Sequence, residues 1–189
     1  MGNEVEMDEK YTPYNHKGTK IDGVEPKHRG TPATKRGLSN QQVCIITAKR
    51  FGHTIARTLN YGKPSSIDLL RFGECLESKS FVMLDGSNSY NELLESKNCT
   101  KKVLISHESY DKFNHLNTVN SFHKLIEERL QKYKVVASKY INRYNALFVM
   151  QRETQGMDNT EKLQYVLLRL KNIYKITRLK DLKNEWLFA

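Results

Sequence analysis

Cysteine is scarce in this chain, with Cys44, Cys75 and Cys99 the only three in 189 residues. Their odd number and wide spacing, without a C-x-x-C pair, argue against a disulfide framework or a zinc ribbon within these residues. No apolar run is long enough to cross a membrane, and Met1 does not open a signal-peptide pattern, so a soluble, cytosolic protein is expected. Ser87 and Ser89 have no His–acid partner in a recognisable pattern, which argues against a hydrolase triad. No internal repeat stands out. Acids are outnumbered, 21 Asp and Glu against 31 Lys and Arg, giving a net charge of +10 and a pI near 9.4. That balance disfavours small acidic substrates and favours a polyanion, nucleic acid first, because Lys and Arg displace phosphate counterions.

What is present centres on Ser80–Tyr90, SFVMLDGSNSY. Phe81-Val82-Met83-Leu84 is a short apolar run that breaks at Asp85 and a polar turn, the pattern of a buried strand. Asp85 then stands at the strand's C-terminal end, where ligands of open α/β sheets bind. An ordinary Asp-Gly turn fits the same residues.

Around this stretch the pattern predicts a mixed sheet covered by helices, in one ordinary domain. Val5 and Met7 alternate with polar neighbours as a first strand ending at Asp8-Glu9. Residues 10–37 read as a basic loop without periodicity, carrying Lys10, Lys17, Lys20, Lys27, Arg29, Lys35 and Arg36; a DNA-tracking arm and a plain disordered loop both fit. Gln41–Ala48 is a β-branched central strand, and Arg50–His53 turns it into a second strand over His53–Leu59. A Ser cap after Pro64 starts a helix with Ile67, Leu69, Leu70, Phe72 and Leu76 on its apolar side. A short helix at Asn91–Ser96 and a strand at Lys101–Ser106 follow. Val119 to Thr154 reads as one long helix or a broken pair, and Asn159–Ile176 as an amphipathic helix with Leu163, Val166, Leu167 and Leu170 on one face. Residues 1–155 are thus expected to form the main domain and 156–189 a helical extension.

Three oxygen-bearing positions fall at element ends: Asp8, Asp85 and Asn120. A hard cation such as Mg²⁺ takes oxygen ligands and keeps several waters, so two carboxylates and an amide oxygen suffice. Two such ions about 4 Å apart activate a nucleophile and stabilise a leaving oxygen in phosphoryl transfer. The plain alternative makes Asp8 and Asp85 turn residues and Asn117 a helix cap. Glu9, on the opposite face of the strand from Asp8, reads as solvated. His115 and His123 read as structural histidines, and Tyr133, Tyr140 and Tyr144 as core.

Five segments stand in order along the chain: Met7-Asp8-Glu9-Lys10-Tyr11, Arg36–Cys44, Leu84–Tyr90, His115–His123 and Val136–Tyr140 with Asn142 and Tyr144. Together they resemble the DDE-superfamily transposases of bacterial insertion sequences, whose catalytic domain has the ribonuclease H-like α/β fold. The branch they resemble carries Asn as third catalytic residue and a zinc ribbon ahead of the catalytic domain. The resemblance implies that Asp8, Asp85 and Asn120 are both catalytic and metal-binding, with Mg²⁺ or Mn²⁺ as cofactor. Asp85 and Asn120 are 35 positions apart, a spacing common in such triads. It further implies water and then a 3′-hydroxyl attacking double-stranded DNA at element ends and target, by a homo-oligomer in the bacterial cytoplasm. Lys17, Lys20, Lys27, Arg29, Lys35, Arg36, Lys124 and Arg129 are the candidate DNA contacts.

The chain departs from this pattern in two ways. It has no zinc ribbon and starts close to Asp8, so it resembles an N-terminally truncated catalytic domain and no zinc is expected. Glu127 stands seven places after Asn120, where a basic residue is common; Lys124 and Arg129 lie nearby. Two other readings remain open at this level, an inactive remnant that binds DNA through charge and a nuclease of the same fold without strand transfer.

Overall fold

Strand β1 (Glu4–Pro13) is the middle of a five-stranded sheet ordered β3-β2-β1-β4-β5. The computed structural model describes residues 4–17, 37–105, 113–134 and 136–171. β2 (Gln42–Arg50) and β3 (His53–Tyr61) run antiparallel to their neighbours, while β4 (Phe81–Leu84) and β5 (Thr100–Val103) run parallel to β1. β2 owes its place to composition, since every residue from Val43 to Ala48 is buried and β-branched residues dominate the run. The β2–β3 connection is the two residues Phe51-Gly52, with Gly52 at φ +75°, a conformation only glycine adopts cheaply.

Helices close both faces. On one side α1 (Ser66–Gly73) and α2 (Asn91–Ser96) bury Leu69, Phe72, Leu93 and Leu94 against Val5, Met7, Ile46, Ala48, Val82 and Leu84. α1 begins at a capping box in which Ser65 and Asp68 satisfy each other's backbone amides. On the other side α3 (Asn117–Lys132) and α4 (Ile141–Glu153) set Phe122, Ile126, Ile141 and Phe148 on Val43 and Ile45. The result is the mixed sheet covered by helices that the element order predicts, and the ribonuclease H-like α/β fold that the resemblance implies.

Several elements differ from expectation. β1 does not stop at Glu9; it pairs with β2 as far as Pro13, so Lys10–Pro13 belong to the sheet and not to a loop. Residues 18–36 of the expected basic arm lie outside the described residues. The segment from Val119 to Thr154 is the broken pair: α3 ends at Tyr133, and Lys134 takes φ +61°, which no helix continues. Ile67 points to solvent, 64% exposed. α5 (Asn159–Leu170) buries none of its residues, and Leu163 and Leu167 are more than half exposed. Periodicity shows that a helix has an apolar stripe, not what covers it. α5 is tied instead through Glu153, which accepts from the Tyr165 hydroxyl, from Arg169 Nη2 at 2.9 Å and from the Thr54 amide at 2.7 Å.

Burial also predicts thiol behaviour. Cys44 is fully buried on β2, and burial, with the Glu9 carboxylate nearby, pushes its thiol up to about 12. At pH 8 only roughly one such thiol in ten thousand is thiolate. A chromogenic disulfide reagent at pH 8 should therefore label Cys99 in the native chain and reach Cys44 only after denaturant is added. Immediate reaction of all three thiols would contradict this packing.

Candidate active site

Period-two alternation puts Glu6, Asp8, Lys10 and Thr12 on the face of β1 that α3 covers, and Val5, Met7, Glu9 and Tyr11 on the other. Asp8 lies directly across from Thr47 of β2. His123 of α3, 7% exposed, sits over that pair: its Nδ1 is 3.4 Å from Asp8 Oδ2 and its Nε2 is 3.0 Å from Thr47 Oγ1. A proton on Nδ1 lets the ring donate to the carboxylate, while the direction of the Nε2–Thr47 hydrogen bond is set by the ring's tautomer. Asp8 Oδ1 meanwhile accepts from the Glu9 amide at 2.8 Å. The carboxylate is thereby held from two directions.

Asp85 comes from β4. That strand pairs with β1 in parallel, Glu4 with Phe81 through Glu6 with Met83, and ends at Leu84, one residue before Asp85. Met83, two residues earlier, packs against Leu116 and Val119 at the start of α3. Asp85 itself is exposed, just past the last paired residue, and its Oδ1 accepts from the Ser87 amide at 3.2 Å. Gly86 turns the chain away at φ +99°, with room for little else, since a Cβ there would meet Val103 Cγ1 at 3.0 Å.

Asn120 is exposed in α3, one turn ahead of His123. What fixes the helix there is Glu6. Its Oε2 accepts from the amides of Thr118 and Val119, both at 3.0 Å, and its Oε1 lies 3.4 Å from His115 Nδ1. Residue Leu116 at the N-cap has no side-chain oxygen, and Asn117, read from sequence as the cap, is instead the first helical residue and exposed. The cap is supplied from β1, by a carboxylate that the helix dipole favours at this end.

Asp8 lies on β1, Asp85 just past the end of β4, which pairs with β1 in parallel, and Asn120 on the helix that Glu6 caps. Two carboxylates and an amide are a hard donor set that suits Mg²⁺ or Mn²⁺ rather than zinc. Among the described residues no group of three or more His, Cys, Asp and Glu could hold a metal, so a cation here would rely on the Asn120 amide and water.

A sequence model of the ISXO2-like transposase domain matches residues 1–153. The chain belongs to that family. A search of curated proteins finds no match. The match to this transposase domain takes in all five strands and α1 to α4. Among the described residues no helix is long and apolar enough to cross a membrane.

Of the transposase domain's candidate DNA contacts, Lys17 and Lys124 are exposed and Arg129 is half-buried in α3, while Lys20, Lys27, Arg29, Lys35 and Arg36 lie outside the described residues. Glu127 does not stand alone: its Oε2 pairs with Lys10 Nζ at 3.1 Å. Glu9 is not solvated; it is half-buried and accepts from the Tyr11 hydroxyl. Glu6 escapes sequence reading, and Lys10 reads only as one charge of the basic loop, because their partners lie more than a hundred residues away.

Glu6→Gln keeps the shape and removes the charge that caps α3. It should lower stability by about 2 kcal/mol, read as a lower urea midpoint at unchanged slope. An unchanged midpoint would mean that the cap contributes nothing.

Proposed function

We propose that this transposase domain cleaves and joins DNA strands at insertion-sequence ends, with Asp8, Asp85 and Asn120 holding Mg²⁺ or Mn²⁺. The observation that carries the reading is the Asp8 carboxylate, held by His123 and the Glu9 amide on the face of β1 that the Asn120-bearing helix covers. The family match supports a transposase, and the basic charge supports DNA as partner. A bound divalent ion supplies Lewis acidity at the scissile phosphate and lowers the pKa of the attacking water or hydroxyl.

The chain's own contribution is orientation. His123 and the Glu9 amide fix the Asp8 carboxylate, the Ser87 amide fixes that of Asp85, and Glu6 sets the helix that carries Asn120. A rigid donor set holds its geometry without reorganising as the reaction proceeds. In this reading residues 1–155 are the catalytic unit and 156–189 an appended extension.

Asp8→Asn and Asp85→Ala should each abolish Mn²⁺ binding measured by calorimetry with DNA present. Each should also lower metal-dependent DNA cleavage on the order of a thousandfold. The unfolding temperature should stay close to that of the parent, because Asp85 is exposed and Asp8 is not a core residue. Cleavage that survives both substitutions would defeat the assignment.

A further inference from the structure

Beyond Asp8, the same face of β1 leads into a cleft of about 400 Å³ between the strand's end and the C-terminal half of α3. Lys10, Thr12, Asn15, Glu127, Gln131 and Lys134 line it. Two features of this lining are unusual. Thr12 is only 7% exposed, and among the described residues its hydroxyl has no hydrogen-bond partner, a costly state for a buried polar group. Lys10, its side chain 19% exposed, pairs among the described residues with Glu127, whose own side chain is 56% exposed on the solvent side. A largely buried ammonium is therefore neutralised by a loosely held carboxylate, next to an unused hydroxyl and a second lysine.

We propose that this cleft is a phosphate subsite for the DNA strand that crosses Asp8, and that the Glu127 carboxylate occupies it in place of phosphate when DNA is absent. The chemistry matches: Lys10 and Lys134 supply charge, while Thr12, Asn15 and Gln131 supply neutral donors. A strand rises about 3.4 Å per residue, so Lys10 lies roughly 7 Å and Thr12 roughly 14 Å from Asp8 along one line. The subsite thus serves a phosphate next to the one being cut. DNA entering it displaces Glu127, so the carboxylate competes with the ligand. The proposal rests on the reading of the Asp8 face as the DNA-cleaving face.

The test is fluorescence anisotropy of a labelled double-stranded oligonucleotide with the full chain, in EDTA at low salt, so that cleavage plays no part. Glu127→Gln should bind about fivefold tighter, and Glu128→Gln, an exposed neighbour with the same charge change, should bind nearly as the parent does. Lys10→Ala should bind roughly tenfold weaker and lower the log–log salt slope by about 0.9. Thr12→Val, which keeps shape and charge, should weaken binding about fivefold without changing that slope. Equal gains from Glu127→Gln and Glu128→Gln, or parental binding by Thr12→Val, would overturn the subsite while leaving the proposed function standing. If the parent itself does not bind DNA, that function and the subsite fall together. Calorimetry with inorganic phosphate should give no binding below millimolar concentration; tight binding would assign the cleft to free phosphate instead.

Discussion

A single buried carboxylate holds the two halves of this fold in register. Glu6 leaves the middle strand and accepts from two first-turn amides of α3, those of Thr118 and Val119, 112 and 113 residues later. Burying a carboxylate costs several kcal/mol, and two charge-assisted hydrogen bonds at the positive end of a helix are what offset it. The helix gains a cap that its own sequence does not provide. The sheet gains a fixed lid over the face that carries Asp8. Asn120, His123, Phe122 and Ile126 all take their positions from that one contact and from the packing of Val119 and Leu116 on Met83.

The middle strand does two jobs because side chains alternate along it. One face contributes Val5 and Met7 to the core with α1 and α2. The other carries, in order, the helix cap Glu6, the candidate ligand Asp8, the cation Lys10 and the hydroxyl Thr12. The polar groups on the first face are Glu9 and Tyr11, the Tyr11 hydroxyl donating to Glu9 Oε2 near Cys44 and Tyr90. Burial holds the Tyr90 hydroxyl well above its usual range, so it stays neutral. Catalytic polarity and core stability are thereby separated by the thickness of one sheet.

Local patterns were legible in the sequence. The Asp85 strand, the hairpin around Gly52 and the Ser65 cap each announce themselves within a few residues, their order points to a mixed sheet covered by helices, and the resemblance adds the ribonuclease H-like class. Long-range pairs were not. Nothing near Glu6 signals a helix cap, nothing near Glu127 signals Lys10, and Asn117 looked like the cap because it stands where one is needed. The extent of β1 was underestimated since Lys10–Pro13 are polar, and pairing with an apolar β2 overrides that preference. α5 was assigned a buried face because its leucines recur at helical spacing, whereas its attachment is polar, through Glu153.

The central claim, that the Asp8–Asp85 face binds the divalent ion, is tested most directly by anomalous diffraction from crystals of the full chain grown with Mn²⁺ and DNA. The account predicts an anomalous peak touching both carboxylates, with Asn120 completing the ligand set. Manganese bound elsewhere, with that face empty, would contradict it.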